Sequence, residues 1–274
     1  RIGWRRQRRF IHSLEALEQI VADVEAVRPD HIAVTGDLVN LGLGREILAA
    51  RELLGRLGSP DQVSVIPGNH DLYTRRKPGE AGIDAWSDFM GRPLAELAGH
   101  HAPHDPRSLH LFPYVRRLGA VAIIGVNSAR PTRPISAMGG IGPEQRARLA
   151  STLDALADEG LRRIVLIHHP PLPGQTTALR GLDDADDVRG LLERHGAELV
   201  LHGHNHRDMR AEVAARHGRV PILAVPSASA GKVHGARPLA RWNLLTVRHD
   251  RIEVEGRGLR DPAGSVEVIE RFTI

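Results

Sequence analysis

The sequence contains no cysteine. That excludes a disulfide framework, a thiol nucleophile and a thiolate-held metal, so any metal must sit on His, Asp, Asn or Glu. Lysine is nearly absent as well: Lys77 and Lys232 stand alone, and arginine carries the basic character behind a net charge of +4 and a sequence pI of about 10.2. Aromatic residues make up 3% of the chain, too few for the interleaved stacking platform of a single-strand binder. The cluster Arg1, Arg5, Arg6, Arg8 and Arg9 reads as a solvated terminal segment, and no specific nucleic-acid partner is expected. No apolar run approaches the roughly 18 residues that a membrane helix needs, and no apolar leader opens the chain. A cytoplasmic protein without a transmembrane segment is the expectation.

What is present is enough to fold. With 274 residues, 41% of them hydrophobic, the chain can bury a sizeable core. The expectation is a single domain over residues 1–274 with an irregular insertion or cap at about 72–117. Residues 13–27 place Leu14, Leu17, Ile20, Val21 and Val24 on one helical face, with Ser13 as cap. A strand over 31–35, a helix over 45–57 and a strand from Val63 follow. This alternation implies parallel strands with right-handed crossovers. The insertion loses periodicity, gathers His100, His101, His104 and His110, and offers one short helix near 85–90. Beyond it come a strand at 120–126, a helix at 142–157, a strand up to His168, a helix at 184–195 and a strand up to His202. The β-type runs 220–225, 242–247 and 251–255, the last two separated by His249-Asp250, predict an antiparallel hairpin. The fold class expected is α/β, a layered α/β/β/α sandwich with mixed sheets.

Four apolar strands end in chemistry. Val63-Ser64-Val65-Ile66-Pro67-Gly68 delivers Asn69-His70-Asp71, the strand from His31 delivers Gly36-Asp37, that from Arg163 delivers His168-His169, and that from Glu198 delivers His202-Gly203-His204-Asn205-His206. Ligands of open α/β sheets collect at the carboxyl ends of strands, so these side chains are expected to converge. One carboxylate, one amide oxygen and several imidazoles suit Mn²⁺, Fe²⁺ or Zn²⁺ better than Ca²⁺. Such a set fits two ions about 3.5–4 Å apart, the arrangement that supports in-line attack at phosphorus.

Gly36-Asp37, Gly68-Asn69-His70-Asp71, His168 and Gly203-His204-Asn205-His206 resemble, in order, the G-D, G-N-H-D, H and G-H-x-H motifs of the calcineurin-like metallophosphoesterases. The contexts around His168 and His204 are similar to the bacterial cyclic-nucleotide phosphodiesterase branch. The resemblance implies a hydrolase with a binuclear metal centre of two divalent ions (Mn, Fe or Zn), a small phosphoester substrate and a metal-bound hydroxide as nucleophile. It makes Asp37 the bridging ligand, gives Asn69, His168 and His204 to one metal and His206 to the other, and puts His70 beside the phosphate with Asp71 orienting it. His169 is expected to face the opposite side of its strand.

One motif of that family has no counterpart. An early strand ending in D-x-H supplies the second metal's remaining ligands, and no D-x-H occurs in this sequence. A truncated sequence that lost its first strand accounts for this, because every other ligand remains. A catalytically impaired binding module on the same fold is the competing reading. Among enzymes, the leading expectation is phosphodiester hydrolysis, with a 3',5'-cyclic nucleotide as one substrate, and the alternative is a lipid-linked or nucleotide-sugar pyrophosphate.

Overall fold

The computed structural model describes residues 11–73, 80–93, 112–132, 136–216 and 218–274. In chain order they form α1 (Leu14–Val27), β1 (Ile32–Val34), α2 (Gly44–Leu57), β2 (Val63–Val65), a 3-10 helix (Ile83–Phe89), β3 (Arg92–Pro93), β4 (Tyr114–Leu118), β5 (Val121–Val126), α3 (Gly142–Asp158), β6 (Arg162–Ile167), α4 (Ala185–His195), β7 (Leu199–His202), β8 (Met209–Ala215), β9 (Gly218–Ala224), β10 (Arg241–Val247), β11 (Ile252–Gly258) and β12 (Glu267–Thr273). They divide into two compact units. The larger holds His31–His204 and Ala211–Leu223; the smaller holds the described residues up to Asp30, with Asn205–Arg210 and Ala224–Ile274.

In the larger unit β1 pairs with β2 in parallel, Ile32 opposite Val63 and Val34 opposite Val65, as the helix–strand alternation implies. A seven-stranded sheet has the order β3-β4-β5-β6-β7-β9-β8. It is antiparallel from β3 to β5 and parallel from β5 through β7. Leu149, Leu153 and Leu156 of α3 and Val188, Leu191 and Leu192 of α4 join one apolar core with Ile124, Val126, Val165, Ile167 and Val200 of the strands. Truncating a fully buried leucine such as Leu153 or Leu156 would cost about 2–5 kcal/mol, so this packing fixes where the strands end.

The short helix expected near 85–90 is a 3-10 helix, anchored by buried Trp86, whose Nε1 donates to Ile47 O at 2.9 Å. Tyr114 Oη donates to Val65 O at 2.9 Å and ties β4 to β2. Within the expected irregular insertion the described residues also form β3 and most of β4, paired antiparallel, while His100, His101, His104 and His110 lie outside the described residues.

In the smaller unit, Ser13 Oγ caps α1 by accepting from Ala16 N at 3.3 Å. The buried face of α1 is Ala16, Ile20, Val21 and Val24; Leu14, expected inward, is 72% exposed, because the first helical residue precedes the turn that packs. Asp23 of α1 accepts from Trp242 Nε1 at 2.8 Å and from Arg257 at 2.7 and 2.8 Å, holding the helix to β10 and β11. The expected hairpin is present as antiparallel β10 and β11, and β12 adds a third strand that the sequence did not announce. Among the described residues no helix is long and apolar enough to cross a membrane.

Candidate metal centre

The site is built where β1 and β2 stop. Beyond β1, Gly36 and Asp37 turn with φ of 88° and 61°, left-handed backbone that glycine adopts freely and aspartate tolerates. A Cβ on Gly36 would stand 2.4 Å from Gly68 N, and one on Gly68 would stand 2.2 Å from Asp37 Oδ1. Both positions must therefore be glycine for the two turns to touch.

Asp71 stitches them together. Its Oδ2 accepts from Asp37 N at 2.8 Å and Gly68 N at 2.7 Å, and its Oδ1 accepts from Val39 N at 3.1 Å. This corrects the expected role of Asp71: the His70 ring is oriented through Nδ1 by the Asn40 carbonyl, at 2.7 Å. The short carboxylate is taken up by three backbone donors that would otherwise be buried without acceptors. Asp37 Oδ1 in turn accepts from His70 N at 2.8 Å, so one carboxylate fixes the backbone of the next motif.

Around this frame four donor groups converge. Asn69 Oδ1 lies 2.9 Å from His204 Nδ1 and 3.2 Å from His168 Nε2, and these two nitrogens are 3.2 Å apart. Asp37 Oδ2 is 3.4 Å from His168 Nε2, and ligand atoms of Asp37, His168 and His204 all fall within 4.8 Å of one another. His168 Nδ1 faces the Thr35 carbonyl at 2.7 Å. A carbonyl only accepts, so Nδ1 carries the proton and Nε2 offers its lone pair to the cluster. Among the described residues, His204 Nε2 is buried without a hydrogen-bond partner. Lone pairs from a carboxylate, an amide oxygen and imidazoles aimed at one place repel unless a positive charge sits among them, and a borderline divalent cation suits this donor set. The residues fit a metal.

Without a cation, the groups of the cluster set one another's ionisation. Burial disfavours charge on Asp37, yet His168 and His70, by charge and hydrogen bond, hold its carboxyl well below the usual range. Burial likewise opposes the His168 imidazolium, and Asp37 outweighs it and raises that group. Burial, then the charge of His168, pushes His204 down. Burial and then the Asp37 charge push Asp71 up to about 7, against the backbone N–H groups that favour its ionised form.

His169 departs from expectation. Its ring lies 5.0 Å from that of His168 and 4.6 Å from that of His204, beside the cluster, because the chain has already left β6 at Ile167 and strand alternation no longer applies. Nε2 faces the Ala137 carbonyl at 3.1 Å and Nδ1 faces Ser128 Oγ at 2.8 Å. Burial and the neighbouring His168 charge push it down to about 3. His169 is a neutral wall. His206 is not among the residues this cluster brings together; it belongs to the smaller unit, where its ring meets His12 edge to face at 5.7 Å and its backbone takes φ 55°. Sequence reasoning also missed Asn40, Thr35 and Tyr73. Tyr73 had one signal, an aromatic two residues past G-N-H-D in a chain with two tyrosines.

A family model described as calcineurin-like phosphoesterase matches residues 11–208. The glycerophosphodiester phosphodiesterase GpdQ of Enterobacter lignolyticus is 28% identical over 182 residues, which cover 65% of this chain and 56% of the relative. The chain thus matches little more than half the length of that protein. Among solved structures, a dimetal phosphatase from Danio rerio aligns over 94% of this chain and 88% of its own with a TM-score of 0.62 at 14% identity, a likeness of fold. The matched stretch takes in Asp37, Asn69 to Asp71, His168 and His204 to His206 and spans more than half the sequence, and the chain, a mixed α/β structure of that fold, belongs to the calcineurin-like phosphoesterase family.

Proposed function

We propose that the protein is a metal-dependent hydrolase of small phosphodiesters. The observation that carries this reading is the convergence of Asn69 Oδ1, His168 Nε2 and His204 Nδ1 within 3.2 Å of one another, beside the Asp37 carboxylate. Asp37, Asn69, His168 and His204 would hold one divalent cation, and His206 would serve a second. Such cations supply Lewis-acid polarisation of phosphoryl oxygens and a water acidic enough to act as nucleophile near neutral pH.

The chain's own residues do the rest. His70 keeps Nδ1 committed to the Asn40 carbonyl; neutral at rest, its Nε2 would take up a proton to form the imidazolium, stabilise charge on the phosphoryl oxygens and pass that proton to the leaving oxygen as its bond to phosphorus breaks. Asp71 acts on catalysis through the backbone, by keeping the Asp37 and Asn69 turns in register. The likeness to a glycerophosphodiester phosphodiesterase supports a diester over a monoester.

The test is hydrolysis of bis-p-nitrophenyl phosphate by the full-length protein reconstituted with Mn²⁺, Fe²⁺, Zn²⁺ or Co²⁺. Turnover that chelation abolishes and metal restores is the expected result. No turnover with any of the four ions sinks the reading. Glycerophosphodiesters, 3',5'-cyclic nucleotides and nucleotide-sugar pyrophosphates then compete for the place of preferred substrate by kcat/KM.

A further inference from the structure

We infer that Tyr73 is a positioning residue that locks the Asn69 amide with its oxygen toward the cation site; this rests on the metal-site reading above. The two ends of a carboxamide are nearly isosteric, and only the oxygen can serve a cation. A flipped Asn69 would aim two N–H groups at His168 and His204 and close the site to metal. Something must choose the orientation, and Asn69, 1% exposed, is withdrawn from bulk solvent.

The hydrogen bonds around Tyr73 make the choice in four steps. The Asn40 carbonyl, 2.7 Å from His70 Nδ1, can only accept, so Nδ1 bears the proton. In the neutral ring Nε2 then accepts, and the atom facing it is Tyr73 Oη at 3.4 Å, whose single proton is thereby directed to His70. The phenol oxygen is left as an acceptor. Asn69 Nδ2 lies 2.8 Å from it and donates, which turns Oδ1 inward to His204 and His168. Packing holds the phenol in place, its ring meeting the His70 ring edge to face at 4.4 Å. Tyr73 therefore joins the residue that binds the cation to the residue beside the leaving group by one directional chain of hydrogen bonds.

Phenylalanine would keep the ring contact and remove the acceptor. In the full-length protein, Tyr73→Phe is expected to lower Mn²⁺ affinity about 10- to 100-fold, the usual scale for groups that orient metal ligands. Affinity is read by competition with a fluorescent chelator, and the melting temperature of the metal-free protein should not move. Asn69→Asp supplies the control, because a carboxylate presents an oxygen in either orientation and needs no partner to select one. In that background Tyr73→Phe should change Mn²⁺ affinity by less than about twofold. Equal losses in both backgrounds, or no loss in either, overturn the inference while leaving the metal site standing. A wild-type protein that binds no Mn²⁺ removes the metal-site reading and this inference with it.

Discussion

Both ends of the β1 and β2 pair carry a histidine in polar company, and the company decides what each histidine can do. At the amino end, half-buried His31 points Nε2 at Ser64 Oγ, 2.8 Å away, and the same hydroxyl accepts from Arg116 Nε at 3.0 Å. Burial and then the Arg116 charge push His31 down to about 4. At the carboxyl end, His168 faces Asp37 and is pushed up. A guanidinium beside an imidazole repels a cation and leaves a structural histidine. A carboxylate beside one, with an amide oxygen and a second imidazole, attracts it. Residue type is the same at the two ends, and the sign of the neighbour separates structure from chemistry.

The comparison breaks most sharply at Asp37. Asp37→Asn removes the one carboxylate of the cluster and makes the carboxyl end resemble the amino end. Its kcat/KM on bis-p-nitrophenyl phosphate should fall more than about 100-fold, beyond the 10–100-fold typical of changes outside the ligand shell. Retention of wild-type turnover would deny Asp37 its assigned place.

Next in size is a pair of glycines, one on each side of β2. Gly68→Ala puts a Cβ 2.2 Å from Asp37 Oδ1 and 2.7 Å from His168 Cε1, so ligand atoms must shift. A displacement near 1 Å can lower a rate about 100-fold, and a drop of that order is expected. Gly58→Ala adds a Cβ 3.2 Å from Gln62 Cβ at an extended φ of 166° that any residue adopts, and activity should hold. Equal effects on activity would show that the carboxyl end is no more exacting than the amino end.

The smallest effect sharpens the amino end. The folded-state value of His31 lies below its ordinary 6.5, at about 4. As pH falls from 6.5 the unfolded chain binds a proton that the native state refuses, so stability present above pH 6.5 is lost down to about 4. His31→Gln removes that proton uptake. Urea midpoints at pH 7, 6 and 5 should fall less steeply for the variant than for the wild type; parallel slopes would mean that Arg116 and burial leave His31 untouched.

The parts of the site legible in the sequence are those that follow from a strand and the residue at its exit. Asp37, Asn69, His168 and His204 come together as expected because β1, β2, β6 and β7 are apolar runs that stop where a polar ligand begins. What was not legible depends on turn geometry, which periodicity does not encode. The proton partner of His70 is a backbone carbonyl of Asn40, invisible to side-chain reasoning. Asp71 serves backbone donors because the Gly36 and Gly68 turns touch, and His169 joins the cluster because the chain has left the β6 pleat. In the fold, β12 escaped notice since Glu267-Val268-Ile269-Glu270-Arg271-Phe272-Thr273 does not alternate cleanly, and its partner β11 bulges between Gly256 and Arg257.

Asp37, His204 and His206 all sit at positive φ, and among the described non-glycine residues Arg28 alone joins them. Each such position disfavours most side chains by about 1–3 kcal/mol and is most lenient toward Asn, Asp, His and Gly. At Asp37 and His204, which the cluster brings together, substitution passes through two filters at once, one for the donor atom and one for the backbone. Glutamate could replace the Asp37 carboxylate chemically and would still meet the backbone penalty; glycine would relieve the backbone and lose the ligand. The sequence space open to a working centre is the overlap of two short alphabets, and Asp and His are nearly all it contains.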